Sequence, residues 1–195
     1  MGNAYYDAWS NTKTKHGLAA DLVISALQKC IRRADEATAM RMAYELYVTS
    51  TFHEEKMWNR LLVISVEDIG FGNTEAPAFV RTMFELHKEY PYGDGDRPIF
   101  FLHAIRYLCR CPKERSTDHI KNIIMMESED GIVPEIPDYA MDMHTIKGRE
   151  AGRDVFHFLD ESSKVQPIAE GYDDSYRQTL YKMYRNRKTS KEKNQ

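Results

Sequence analysis

The sequence has no apolar run approaching the ~18 residues of a membrane span. Its strongest stretch, Ile99 to Ile105, is interrupted by His103, so no membrane partner is expected. The opening Met1-Gly2-Asn3-Ala4-Tyr5-Tyr6-Asp7 has neither a charged n-region nor an apolar h-region and does not read as a secretory signal. There are only three cysteines, an odd number that argues against a disulfide framework and fits a reducing, cytoplasmic setting. Charge of one sign is not in excess: 27 Lys+Arg stand against 30 Asp+Glu, a net −3 in 195 residues. That balance excludes a strongly basic nucleic-acid coat and a highly acidic disordered chain. It leaves room for a local patch. Positions 185–195 hold five Lys/Arg and one Glu, a local +4 that leaves −7 on the rest.

No Gly-Lys dipeptide occurs, hence no Walker A loop, and no Gly-x-Gly-x-x-Gly follows a strand. Both phosphate cradles recognisable from sequence are missing, so no nucleotide or other cofactor is expected. Internal repeats are missing as well, and no stretch of five or more residues alternates as a half-buried strand would. What is present is helical spacing and ordinary globular composition, 42% hydrophobic and 29% charged.

Val23, Ala26, Leu27, Cys30 and Ala34 share one helical face. Met40, Ala43, Tyr44 and Tyr47 repeat the pattern, as do Trp58, Leu61, Leu62, Ser65 and Ile69. Ala34-Asp35 breaks the first segment from the second. Ser50 or Thr51 is placed to cap the third, with Glu54 or Glu55 in its first turn where the dipole favours a carboxylate. Gly70-Phe71-Gly72-Asn73 ends it. A fourth helix is expected from about Glu75 to Tyr90 with Pro77 in its first turn, a fifth from Arg97 to Cys111, and a sixth capped by Ser116 and reaching about Glu129. After Asp130-Gly131 the character changes. Pro134 and Pro137 bracket a connector, Asp138 to Ser163 is helical but broken by Gly148 and Gly152, and Tyr172, Tyr176, Tyr181 and Tyr184 precede the basic end. The fold class is all-α. The expected organisation is an N-terminal extension (1–16), a compact multi-helix domain (17–130), a C-terminal helical extension (131–184) and a disordered basic tail (185–195).

Three stretches together carry a resemblance: Ser25-Ala26-Leu27-Gln28-Lys29-Cys30-Ile31-Arg32-Arg33-Ala34-Asp35, then Arg60-Leu61-Leu62-Val63-Ile64-Ser65-Val66-Glu67-Asp68-Ile69-Gly70, then Tyr107-Leu108-Cys109-Arg110-Cys111-Pro112-Lys113. Their order and spacing resemble the C-terminal helical region of the RarA/MgsA family. These are clamp-loader-like AAA+ ATPases related to the Werner-helicase-interacting protein. The Glu-Asp-Ile-Gly element is the most specific, and the resemblance covers about residues 20 to 135. Arg33 and Ala34 stand where the family has Gly-Ser, Val66 where it has Ser, and Val63 where it has Arg. The resemblance implies a clamp-loader-type collar, used for homo-oligomerisation as a tetramer. It also implies a setting in DNA replication or repair, with DNA, single-stranded-DNA-binding protein or a separate AAA+ subunit as partners. Glu67, Asp68, Gly70, Pro112 and Lys113 are its structural motif residues. The ATPase module of the family is not matched, so no ATPase activity is carried over.

Several constellations bear on function. Lys29, Arg32 and Arg33 sit at i, i+3 and i+4, where their charges converge in a way suited to a phosphate, or simply to a solvated face. Glu67-Asp68 sits at a helix C-terminus, where carboxylates oppose the dipole. Pairing with Arg60 or with Lys29 and Arg32 would compensate them. Cys109 and Cys111 have no second pair and read as core thiols. In the segment 137–153, Lys147, Arg149 and Arg153 with two glycines allow close approach to a phosphate or nucleic acid. Alternatively, Asp138, Asp142 and His144 with His157 and Asp160 supply the donor types of a metal-dependent hydrolase. The plainer interpretation is a capped turn with internal hydrogen bonds. The function expected is a non-catalytic helical oligomerisation and interaction domain of replication or repair, with the hydrolase as the alternative.

Overall fold

The structure is a computed structural model describing residues 8–192. The first seven residues of the expected N-terminal extension and the last three of the basic end lie outside the described residues. The described residues contain helices and no strand; a lone bridge joins Lys13 and Ala19. No helix among them is long and apolar enough to cross a membrane. The chain divides into two units, Met1–Gly131 and Ile132–Gln195.

The first unit is built from α1 (Ala20–Arg32), α2 (Glu36–Thr49), α3 (Thr51–Ile64), α4 (Ala76–Leu86), α5 (Arg97–Arg110) and α6 (Ser116–Glu129). Local chemistry sets the breaks. Ala34 turns the chain at φ +60°, an uncommon conformation for a residue with a Cβ. The Asp35 side chain then accepts the Thr38 N–H at 3.1 Å and caps α2. Ser50 is extended and its hydroxyl accepts the His53 N–H at 3.3 Å, so Ser50 caps α3. Pro77 and Pro98 sit in first turns of α4 and α5, where a missing N–H costs nothing. α4 stops at Leu86 and a 3-10 turn, His87–Glu89, carries the chain to Tyr90. At α6 it is Glu114 whose carboxylate accepts the Ser116 N–H at 2.7 Å, so Ser116 opens the helix rather than capping it.

The apolar stripes of α1 to α5 converge on one core. Trp58, Phe101, Leu27, Ile31, Leu46, Met57, Leu61, Ile64, Ile105 and Leu108 are fully buried within it. Aromatic rings tie helices together there, Trp58 lying edge-on to Phe84 and to Phe101. α6 contributes nothing to this core: it has no buried residue.

The second unit holds two short helices, α7 (Ile146–Glu150) and α8 (Val155–His157), and a long one, α9 (Ser175–Glu192). Its buried apolar residue is Leu159. The Phe156 ring meets the Tyr181 edge at 5.3 Å and takes the Lys188 ammonium on its face at 5.3 Å. Two expectations differ here. The stretch 138–145 is not helical beyond a single 3-10 turn at Asp138–Ala140. And α9 continues through Arg185 to Glu192, in the stretch expected to be disordered.

All three cysteines are free. Burial pushes the Cys109 thiol up to about 11. Under native conditions near pH 8, a thiol-alkylating reagent should therefore modify half-buried Cys30 first, with Cys109 labelled only after denaturation. Peptide mass mapping checks the order, and fast native labelling of Cys109 would contradict its burial.

Candidate functional site

After Ile64 the helical winding of α3 loosens into a wider π turn, Ser65–Ile69, followed by a 3-10 turn at Gly70–Gly72. π turns inserted at helix ends recur at functional places because they re-aim side chains. Here the turn carries Asp68 into the interior, where it is completely buried. Arg32 of α1 donates from Nε to Asp68 Oδ1 at 2.5 Å, and Gln28 donates from Nε2 to Oδ2 at 2.9 Å. Arg115 sets its Nε 3.2 Å from the same Oδ1 as an ion pair. Glu67, half-buried beside it, takes Arg32 Nη2 at 3.3 Å and Arg115 Nη2 at 3.4 Å. Two carboxylates thus face two guanidiniums, and Arg60 is held one step back on Gln28 Oε1 at 3.4 Å.

The other motif residues close the same junction. The Asp68 carbonyl accepts the Glu114 N–H at 3.0 Å. A Cβ on Gly70, which is at φ +50°, would lie 2.6 Å from the Glu114 carbonyl oxygen, and one on Gly72 would lie 2.5 Å from that of Pro112. Both glycines are needed so that 112–114 can lie against the turn. Lys113 bends back over the end of α5, donating to the carbonyls of Leu108 at 2.9 Å, Cys109 at 3.0 Å and Cys111 at 2.6 Å. These are carbonyls a helix C-terminus leaves unpaired. Burial holds the Lys113 ammonium below the ordinary lysine value.

Of the three cations at the end of α1, then, Arg32 turns inward to Asp68. Lys29 is exposed and donates to Ser25 Oγ at 2.6 Å, and Arg33 is exposed and reaches the Lys29 carbonyl at 3.4 Å. The converging phosphate site drawn from their spacing loses its central member to the carboxylates.

Beside the junction lies an apolar groove of about 450 Å³ whose walls include Leu62, Val63, Val66, Thr117 and Lys121. It runs onto α6. Ile120, Ile123, Ile124, Met125 and Met126 of that helix are between 49% and 64% exposed, and Val63 and Val66 are 44% and 46% exposed. Ile120, Ile123 and Ile124 of this set fall on one face of α6.

A second buried carboxylate was not singled out from the sequence as more than a first-turn residue. Glu54 is 2% exposed and forms a two-pronged pair with Arg97, Nε to Oε1 at 2.9 Å and Nη2 to Oε2 at 3.0 Å. The His87 ring nitrogen Nε2 lies 3.9 Å from Oε1, and burial holds that imidazole below its ordinary value. The signal is its register: Glu54, Trp58 and Leu61 fall at i, i+4 and i+7, a charge on an apolar stripe.

In the second unit, Asp138, Asp142, His144, Arg149 and Arg153 bond within the 137–153 segment itself. The Asp142 carboxylate accepts the His144 N–H at 2.9 Å and meets the His144 ring at 3.0 Å. Thr145 caps α7 by accepting the Gly148 N–H at 3.1 Å, and a Cβ on Gly148 would collide with the Asp142 carbonyl at 1.9 Å. Arg149 donates to the Met143 and His144 carbonyls at 3.2 and 3.0 Å. Arg153 donates to the Asp138 and Met141 carbonyls at 2.6 Å each and to Asp138 Oδ1 at 2.5 Å. Lys147 is exposed. Asp160 faces the Tyr181 hydroxyl at 3.2 Å. Asp138 and Asp142 are four residues apart, one turn of a helix, but they do not share a helical face because 138–145 is not helical beyond its 3-10 turn. Among the described residues no three His, Cys, Asp or Glu side chains are placed to hold a metal ion. The five residues drawn for the hydrolase alternative are not so arranged: Asp138, Asp142 and His144 bond within their own loop, His157 lies on α8 and Asp160 meets Tyr181.

The residues that the sequence motifs single out in 67–113 are the ones brought together at the junction. No family model matches the chain. The chain is similar to a bacterial replication-associated protein. It is 28% identical over 141 residues, 72% of its length, to Replication-associated recombination protein A of Bacillus subtilis (strain 168). It spans about a third of that relative's length, 32%. The resemblance carried by the three motifs is thus found again in direct comparison.

Two predictions follow from these contacts. Asp68→Ala would remove the buried charge that Arg32, Gln28 and Arg115 meet, leaving Glu67 as the arginines' remaining counter-charge, and losing hydrogen bonds to a charged group costs about 1.5–3 kcal/mol. Urea unfolding of the variant should show that loss, while Lys29→Ala and Arg33→Ala should stay near the wild type. In the second unit, the hydrogen bonds from His144 hold Asp142 below the usual carboxylate range, and that from Arg153 does the same for Asp138. Folded values depressed in this way stabilise the loop fully above the ordinary carboxylate pKa, and the stabilisation is lost as pH falls through the folded values. Amide hydrogen exchange at Thr145, Gly148 and Arg149, corrected for intrinsic rates, should show falling protection below roughly pH 4. Unchanged protection well below that pH would contradict it.

Proposed function

We propose that this chain is a non-catalytic helical domain that self-associates and works with replication or recombination machinery. The observation that carries the proposal is α6. It has a stripe of isoleucines, flanked by methionines, that no described residue of the first unit covers, beside the Val63–Val66 groove and anchored at its start by the Asp68 junction. A soluble surface that leaves such a set uncovered loses the free energy of burying it, about 25 cal/mol for each Å². A second protein surface recovers it. The similarity to a replication-associated recombination protein supports the setting, and DNA, single-stranded-DNA-binding protein or a separate AAA+ subunit are the partners this setting suggests.

Size-exclusion chromatography with light scattering tests the self-association. The wild type should elute as an oligomer, and Ile120→Asp with Ile124→Asp should yield a monomer with unchanged helical circular dichroism. A wild type that stays monomeric across concentration would overturn the proposal.

A further inference from the structure

The charges along α6 are distributed unevenly, and this selects how a second copy would meet it. Resting on the self-association proposed above, we propose that two copies pack α6 against α6 antiparallel, about a two-fold axis passing near Ile123 and Ile124. Ile120, Ile123, Ile124 and Glu127 fall at i, i+3, i+4 and i+7, one stripe with a carboxylate at its C-terminal end. The N-terminal half carries Arg115, His119 and Lys121. Its one acid, Asp118, is already neutralised by Arg115 at 2.6 Å and Lys121 at 3.2 Å. The C-terminal end carries Glu127, Glu129 and Asp130 with no basic residue in its last turn.

A parallel pair would set these acidic ends against each other, Glu127 facing Glu127 across the seam. An antiparallel pair with the stated axis moves the two Glu127 side chains about 10 Å apart along the helices. Each then lies level with the other copy's Ile120, toward the half that carries His119 and Lys121 and the positive end of the helix dipole. The contact is the same patch on both copies, so it closes on itself and does not propagate.

Disulfide trapping tests the arrangement. Ile120→Cys and Glu127→Cys proteins are prepared separately, checked by light scattering, mixed in equal amounts and oxidised. Both positions are exposed on α6, and oxidised wild type controls for Cys30. A covalent dimer should form in the mixture, joining position 120 of one copy to 127 of the other, and be lost when either variant is oxidised alone. Dimer from each variant alone marks parallel packing and overturns the proposal. Proteins that associate by light scattering yet trap in no combination overturn it too, leaving self-association standing. Monomers throughout remove the self-association itself.

Discussion

One buried carboxylate organises the first unit. Asp68 is fully enclosed, and an ionised side chain in that position is tolerated only when it is paired and hydrogen-bonded. Two segments supply what it needs: α1 gives Gln28 and Arg32, and the approach to α6 gives Arg115 to the carboxylate and the Glu114 N–H to the Asp68 carbonyl. Neither can move away without weakening the pairing of that buried charge. The glycines at 70 and 72 exist within the same constraint, since a side chain at either would push the 112–114 segment off the turn. Lys113 then finishes α5 from that segment. The motif spread over 67–113 is therefore one structural unit, a clamp that ties the start of α1's last turn, the end of α3, the end of α5 and the start of α6 to a single point.

The charges elsewhere differ in consequence because they differ in burial. Glu54 and Arg97 form the other enclosed pair, and Arg97 also donates to the His87 and Tyr90 carbonyls, fixing the loop before α5. Removing one partner there would strand the other in the interior. By contrast Arg106 and Arg110 reach Glu36 from a largely exposed position. Solvent screens such pairs, and their contribution is typically below 1 kcal/mol. The same distinction separates Arg32, whose guanidinium is committed, from Lys29 and Arg33 on the same turn.

The sequence displays the helices of the first unit because each follows the period of its apolar residues and is punctuated by residues with a local mechanism: Asp35, Ser50, Pro77, Pro98. It displays the motif residues as important without displaying why. Pairing of Glu67-Asp68 with Arg32 is accessible from helix spacing and the dipole argument, whereas Arg115, far along the chain, has no periodic relation to Asp68. The π turn that turns Asp68 inward is likewise absent from any 3.6-residue pattern. In the 138–153 segment the residue types suggest either a metal or a phosphate, and only the backbone path decides. Once 138–145 leaves the helix, its carbonyls need donors, and Arg149 and Arg153 are the nearest ones. Arg149 and Arg153, which look available in the sequence, are consumed by that need.

The clamp and the exposed helix are joined at residues 114–118. A row of exposed isoleucines on a loosely held helix would be a liability, free to collapse on itself or on any apolar surface. α6 is not loosely held at its start: Glu114 accepts the Ser116 and Phe71 N–H groups, while Arg115 bridges Asp118 to Glu67. Its first turn is thereby locked to the buried carboxylate while its apolar face is left outward. A binding face held rigid before association loses little conformational freedom on binding. The position of Asp68 thus has its effect at a distance. A charge buried for the stability of the core also sets the direction in which the uncovered surface points, and the most specific motif of the sequence falls at the place where those two requirements meet.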